Sequence, residues 1–475
     1  MNSIFERIVS SINYVDFNAE YETLGINLDE CRNKKTGKIY VSEDVQAVIV
    51  AKQLIKSIET SGFFVVKQNS IILFYFGKHW SSINDSEWSE FIMNASSKMR
   101  SDISLFVTFR FQKLLIQTIK MYLPAFGNAD EIEKNKLVKI NCNNGTLLIN
   151  NDGNIKLTSH HKEDYFRYSL NYNYLPNTEI PLFKEYLNKV LPEIESQFLL
   201  QEFFGAVLAK DLKLEFMGIL LGLGSNGKSV LHSIMLALFG RYNVSTLSWS
   251  QLMHETSRID LDGKLLNYSS EIDSGPLSGS ADVIKLLASK EPIYVRRYYQ
   301  QSYQMIDYGR ILINANNMPP LIEFSHAFLR RLKIIVFDQK IDGSLMDIML
   351  SEKIIESELS GILNWVIAGC QRIMANHRFT ESPKSQSALK QYIKEQNPVS
   401  AYVEEFCYTP SIDGEKLKFQ TLYNEFIIYC RENKLKIVNS HEFGRILRQM
   451  NFEIKKGAQN KSFVFAAKIF CDEDG

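Results

Sequence analysis

Apolar residues recur every second position in some stretches of this chain and every third or fourth in others, and the changes of period mark its elements. Residues 63–67 and 71–78 are β-rich runs separated by Gln68, Asn69 and Ser70, the pattern of a hairpin. Residues 86–99 and 103–122 carry apolar side chains at helical spacing. Residues 138–149 read as two strands turning at Asn144-Gly145, a tight-turn dipeptide. From Pro181, suited to a first helical turn, two helical patterns run to Leu191 and then over 193–209.

From about 213 to 340 the two periods alternate. A strand precedes Gly222 and a helix follows Lys228; an apolar run at 265–268, a helix at 282–288 and a strand at 310–314 come next. Such alternation predicts an α/β core, a mainly parallel sheet with helices on both faces. Ligands of such sheets lie beyond the strand C-termini, so polar residues just past those ends are the candidates for chemistry. Residues 354–375 are strongly apolar at helical spacing and are expected to form a helical lid. Helices at 399–407, 419–432 and 440–450, then strands at 452–456 and 462–468 joined through Gly457, make a winged-helix pattern. The expected division is an N-terminal α+β domain (1–130), an α+β segment leading into the core (131–212), the core with its lid (213–376), a linker (377–397) and the winged helix (398–475).

Composition changes this picture little. The 475 residues leave room for about three domains. Lys plus Arg and Asp plus Glu each number 54, so bulk charge selects no partner and any basic surface must be local. The six cysteines show no C-x-x-C and no histidine pairing at zinc spacing, so they are expected as reduced thiols. No run approaches ~20 apolar residues and the N-terminus has no signal-peptide core. A soluble, cytoplasmic chain without a membrane partner is therefore expected. Trp80 and Trp88 are read as packing residues, and His160 and His161 as loop histidines without a metal role.

The sharpest chemical signal lies where the strand before Gly222 gives way to a helix. Gly222, Gly227, Lys228 and Ser229 fit G-x-x-x-x-G-K-[ST], with Gly224, Ser225, Asn226 and Val230 completing the loop. Glycines let several N–H groups converge on one point, and the helix N-terminus adds its positive dipole end. Lys228 is placed for the β and γ phosphates, and Ser229 for a Mg²⁺ ion bridging them, so ATP and Mg²⁺ are the expected cofactors. Glu271, closing the run 265–271 with Asp273 behind it, can hold the metal shell and orient water. Asn316 offers an amide that holds phosphate or water without adding charge. Arg330 and Arg331 offer forked hydrogen bonds to phosphate oxygens.

The order of these parts resembles the superfamily 3 DNA helicases, with the nearest likeness to the helicase part of poxvirus, phage and plasmid primase-helicases. Gly222 to Ser229 resembles Walker A, Glu271 Walker B, residues 284–299 the B′ motif, Asn316 to Pro319 sensor 1 and Arg330-Arg331 the arginine finger. Residues 141–145, the region 165–174 and the helices before Leu212 look like that family's pre-helicase domain. The resemblance implies an AAA+ module forming a hexameric ring, with ATP at each subunit interface and single-stranded DNA in the channel. On it, Arg331, with Arg330 as second choice, would enter the neighbour's site, and Lys285 would act across the same interface. Residues 293–297 and 302–307 would form a hairpin whose Arg296, Arg297 and Tyr299, with Gln300 at the tip, meet DNA.

There are departures from the family. Ser289-Lys290-Glu291 stands where it often has Gly-Gly-Asp, Gln300 where it has a cation, and Ser270 where a second Walker B acid is common. No primase carboxylate pair is visible, so priming is assigned to a separate primase or polymerase. In the last unit, Arg445 and Arg448 share a helix face suited to a major groove, with Lys455 and Lys456 on the wing for phosphate. The expected activity is that of an ATP- and Mg²⁺-dependent replicative DNA helicase acting on single-stranded and forked DNA. An origin-melting initiator and a non-translocating AAA+ regulator remain as alternatives.

Overall fold

The computed structural model describes residues 2–68, 71–99, 104–127, 137–210, 212, 214–224, 226–269, 281–298, 301–318, 326–341, 347–456 and 462–468. The N-terminal part closes around an apolar core of its own, drawn from Phe5 to Leu123. Its strands β1 (Phe64–Gln68), β2 (Ile71–Tyr75) and β3 (Trp80–Ser82) form an antiparallel sheet, so the expected hairpin gains a third strand. The helix Glu43–Thr60 starts where the Ser42 side chain accepts from Val45 N, and it buries Ala47, Val50, Ala51, Leu54 and Ile58 at helical spacing. The helix expected from residue 103 starts instead at Phe109, because Thr108 caps it by accepting from Phe111 N. Trp80 and Trp88 are both buried, in keeping with packing roles.

Next come β4 (Val138–Cys142), β5 (Gly145–Ile149) and β6 (Ile155–Thr158), an antiparallel sheet. The turn into β5 demands glycine: Gly145 has φ +148°, and a Cβ there would lie 2.2 Å from Thr158 O. The helices Pro181–Val190 and Ile194–Leu208 follow as expected. The second is buried on nearly every side because it is sandwiched between the main sheet and the helix Leu350–Asn376. Gly205 and Gly369 let those two backbones touch, since a Cβ on Gly369 would fall 2.3 Å from Gln201 O. Gly369→Ala is therefore expected to cost about 1–3 kcal/mol by overpacking, read as a fall in Tm on thermal unfolding.

The main sheet contains β7 (Met217–Leu221), β8 (Val244–Ser245), β9 (Leu266–Ser269), β12 (Arg310–Ala315) and β13 (Leu332–Val336), in the order β13-β7-β12-β9-β8. Every pairing among them is parallel, with Leu312 opposite both Gly218 and Tyr268. Alternation along the strands splits the side chains between two faces. Leu220, Tyr268 and Leu312 meet the helices Ile194–Leu208, Lys228–Phe239 and Leu350–Asn376. Ile219, Ile311 and Ile313 meet the helix Ala281–Ser289 and a hairpin of β10 (Ile293–Val295) and β11 (Tyr303–Met305).

Packing bears on the expected division in three places. Residues 131–212 and 213–376 share one apolar core running from Val138 to Met374, so they pack as one body. The helix expected as a lid is part of that core, and its Glu358 accepts from Leu182 N and Phe183 N at 2.9 Å each, capping a distant helix start. The expected linker holds the helix Pro383–Gln396, capped by Ser382 and packed on β13 with Tyr392 buried. Its polar composition hid a single docking face.

The last unit has a separate core around Tyr402, Phe426 and Phe443. The expected helices appear as Pro398–Glu405, Phe419–Glu432 and Ser440–Gln449, and the expected strands as β15 (Glu453–Lys456) and β16 (Ser462–Lys468). A further strand, β14 (Tyr408–Lys418), pairs with β16; Pro410 and Gly414 and a register shift within it erased its period-two signal. Four of the cysteines are free, but Cys407 is disulfide-bonded, which corrects the expectation of six reduced thiols; its partner lies outside the described residues. Among the described residues no helix is long and apolar enough to cross a membrane.

Candidate functional site

β7 and β12 are neighbours whose onward connections run to opposite edges of the sheet, β7 to β8 and β12 to β13. Between their C-termini lies the crevice where an open α/β sheet receives its ligand. The P-loop leaves β7 at this point. Gly222 N donates to Ala315 O at 3.0 Å, and a Cβ on Gly222 would collide with Asn226 Nδ2 and Phe337 O, at 2.2 and 2.3 Å. Asn226 is buried and its Nδ2 donates to Phe337 O at 3.0 Å, which closes the loop onto the end of β13. Gly227, with φ +87°, turns the chain into the helix Lys228–Phe239 and leaves its N-terminus without a side-chain cap. Ser225 lies outside the described residues, and Val230 sits in the first helical turn.

Lys228 is 7% exposed, and its Nζ donates to Gly222 O. Burial holds its pKa below the usual lysine range. The site therefore has a partly desolvated ammonium, an uncapped helix N-terminus and glycines at two positions where a Cβ would strike the packing that holds the loop, a donor set that fits a triphosphate. Gly224 faces open space, and Ser229 is exposed at the helix start, where its hydroxyl could meet a bridging Mg²⁺. Glu271 and Asp273 lie outside the described residues; Ser269, the last residue of β9, ends at the same edge. Asn316 is exposed directly after Ala315, whose carbonyl holds Gly222. Walker A and the sensor candidate are thus brought together.

Three residues around this site escaped the sequence reading. Tyr186, from the helix Pro181–Val190, donates its hydroxyl to Gly227 O at 3.0 Å, and neighbouring Val190 would meet a Cβ on Gly227 at 2.6 Å. Nothing in the sequence links a tyrosine to a glycine so far away. Asn314 is buried in β12, and its Oδ1 has no hydrogen-bond partner among the described residues. His232 packs edge-on against Tyr268 at 4.6 Å, one helical turn beyond Lys228, a spacing that was visible.

The arginines stand at the other end of the sheet. Leu332 pairs with Met217 and Val336 with Leu221, so Arg330 and Arg331 lie about 16 Å, one strand length, from their own P-loop. Arg331 is 9% exposed, with Nη2 on Glu215 at 2.8 Å and Nε donating to Ser289 Oγ at 3.2 Å. Arg330 is exposed and touches Glu215 at 2.9 Å. Arg331 is thus held within its own chain by Glu215 and Ser289, while Arg330, which also touches Glu215, is the more exposed of the two. Lys285 is also held locally, 3.3 Å from Asp282.

The hairpin forms with Val295 opposite Tyr303, its inner residues Ile293, Val295 and Met305 buried. Buried Arg258 fastens it by donating to Tyr294 O at 3.1 Å. Arg296, Arg297 and Tyr298 are exposed beyond β10, while Tyr299 and Gln300 lie outside the described residues. At its base burial would raise the pKa of the Asp307 carboxyl, but Lys210, Lys290 and Arg167 outweigh it and lower the value to about 2. In the last unit Arg445 and Arg448 are exposed on one face of their helix, Arg445 forking onto Glu442. Lys455 pairs with Glu453 at 2.8 Å, and Lys456 is exposed beside it.

Residues 220–331, from within β7 to Arg331, match a family of unknown function (DUF5906). Residues 51–192 match the family described as D5 N terminal like. No curated protein matches the chain. Among solved structures it is similar to the A form apo structure of the NrS-1 C-terminal region, at 14% identity over 88% of this chain and 99% of that one, with a TM-score of 0.48. A second apo structure of that region gives 14% identity, 86% and 97% coverage and a TM-score of 0.47. The two matched families are typical of phage and viral primase-helicase proteins, and here the D5 N terminal like match ends just past the helix whose Tyr186 donates to Gly227 O, within the DUF5906 match.

Proposed function

We propose that the protein is an ATP- and Mg²⁺-dependent replicative DNA helicase built on an AAA+ core and active as a homo-oligomeric ring, with six subunits as the expected number. The observation that carries this reading is the separation of parts within one chain. The phosphate cradle lies beyond the C-terminal ends of the sheet strands, and the exposed Arg330 at their N-terminal ends. A single subunit therefore holds half a site, and a neighbour's Arg330 supplies the charge that phosphoryl transfer needs.

When bound, ATP and Mg²⁺ supply the hydrolysable bond that drives movement. Lys228 and the uncapped helix N-terminus hold phosphate oxygens, and Ser229 and Glu271 are assigned to the metal shell. Glu271 is also assigned to orient the attacking water, and the Asn316 amide to hold that water or the γ-phosphate. Arg296, Arg297 and Tyr299 on the hairpin engage a DNA strand. The unit 398–468 is read as a winged helix, supported by its order of helix, strand, two helices and two strands. Its exposed Arg445 and Arg448 also favour a second reading, an initiator that grips duplex DNA at an origin.

Mass measurement and negative-stain imaging with a non-hydrolysable ATP analogue and forked DNA test the proposal. Rings on the fork, with ATP-dependent unwinding of forks lacking any origin sequence, are the expected result. A monomer with full ATPase activity would refute it, and tight binding to one duplex sequence without unwinding would favour the initiator.

A further inference from the structure

Away from the P-loop, a cavity of about 390 Å³ opens where three parts of the chain meet: the strand β3, the middle segment, and the core beyond the P-loop helix. Its walls are rich in hydrogen-bond donors. Arg167 is 7% exposed and spends only Nη1 on protein, donating to Asp262 Oδ1 at 2.9 Å, which leaves Nε and Nη2 without partners among the described residues. Lys264 Nζ donates once, to Tyr242 O at 2.5 Å, and keeps two further protons. The hydroxyls of Ser81 and Ser82 and the amide of Asn171 line the same space, with no side-chain hydrogen bond among the described residues. At the rim the Tyr242 ring is 89% exposed.

Two groups that would repel an anion are already answered. Asp262 is matched by Arg167, and the carbonyl of Phe239, at the negative end of the P-loop helix, accepts from Asn243 Nδ2 at 2.8 Å. Gly263 is part of the construction: with φ +71° it brings the backbone against the guanidinium, where a Cβ would lie 2.6 Å from Arg167 Cζ. A nine-tenths buried arginine with spare donors, a lysine and small hydroxyls together suit a group with several acceptor oxygens and negative charge, namely a phosphate.

The cavity adjoins the hairpin. Gly263 N donates to Asp307 O at 2.9 Å, and Asp262 forms a β-bridge with Tyr308 at the hairpin's base. Burial and then the Asp262 charge raise the pKa of the Tyr303 hydroxyl on β11, against the opposing charges of Arg297 and Arg167. We infer that this cavity is a second nucleic-acid subsite, in which Arg167 and Lys264 hold a backbone phosphate of a single strand leaving the hairpin and Tyr242 stacks on a base. The inference rests on the helicase reading for its strand, and it adds a contact which that reading does not contain.

The test is fluorescence anisotropy of the full chain with labelled oligothymidine, across a salt series and with a non-hydrolysable ATP analogue. Lys264→Gln keeps an amide donor for Tyr242 O but removes the charge. It is expected to weaken binding several-fold and to flatten the slope of log affinity against log salt by about 0.7. Tyr242→Ala, at an exposed position that packs little, is expected to weaken binding by about 5-fold or more with the slope unchanged. Thermal melting of both variants checks that the fold is intact. Wild-type binding with neither variant affected overturns the subsite and leaves the helicase reading standing. Failure of the wild type to bind the oligonucleotide overturns both. Thymidine monophosphate, titrated in parallel, separates the sources of phosphate: lost monophosphate binding in Lys264→Gln with strand affinity unchanged makes the cavity a free-nucleotide site and overturns the strand assignment.

Discussion

Lys228→Ala is expected to remove ATP turnover while leaving the fold as stable as before, or more so. The two halves of that expectation have one cause. In the free protein the ammonium is mostly buried and donates to the Gly222 carbonyl, and burial already holds its pKa below the usual lysine range. Without nucleotide the charge is therefore a cost to the fold, and truncation relieves it. With triphosphate present the same charge is compensated, and its removal withdraws a preorganised contact from oxygens that gain charge during transfer. A loss of about 10²–10³ in kcat is the scale for one such donor. Steady-state ATPase together with a melting curve checks it. Turnover kept within a few-fold of wild type would remove the P-loop assignment, whereas loss of turnover with a collapsed melting temperature would show only that Lys228 is structural.

What was legible beforehand was whatever a short window of residues encodes. The glycines of the P-loop, the alternation around it and the helix after it are local patterns, and they appear where the sequence placed them, with Gly222 and Gly227 in positions that reject a side chain. The C-terminal helices were legible for the same reason, but β14 was not, because Pro410, Gly414 and a register shift interrupt its alternation. Side-chain partnerships between distant segments left no local trace. Tyr186 reaches Gly227, Glu358 caps a helix at Leu182 and Phe183, and Glu202 is buried with Arg372 at 2.5 Å and Thr380 N at 2.6 Å. These long-range contacts turn the expected separate segment, core and lid into one packed body. The two adjacent arginines mark the same limit at finer scale. Their order in the sequence cannot reveal which side chain turns back into its own subunit, and that depends on Glu215 and Ser289.

If Arg330 completes a neighbour's site, two inactive variants should restore each other. Arg330→Ala subunits keep an intact cradle but present no guanidinium; Lys228→Ala subunits present Arg330 but cannot hold phosphate. Mixed in equal amounts before assembly, they should form rings in which roughly a quarter of interfaces pair an intact cradle with an intact arginine, because a ring interface is head-to-tail and each half is drawn independently. Against parents lowered about 10²-fold or more, ATPase approaching that fraction of wild type is a large signal. Arg331→Ala makes the control. It breaks contacts to Glu215 and Ser289 inside one subunit, so its main effect should be a lower melting temperature, one that mixing does not repair. Should the Arg330 mixture give no more than the sum of its parents while still assembling into rings, Arg330 is not the shared group. Rescue by Arg331→Ala instead would mean that Glu215 releases Arg331 when a neighbour docks.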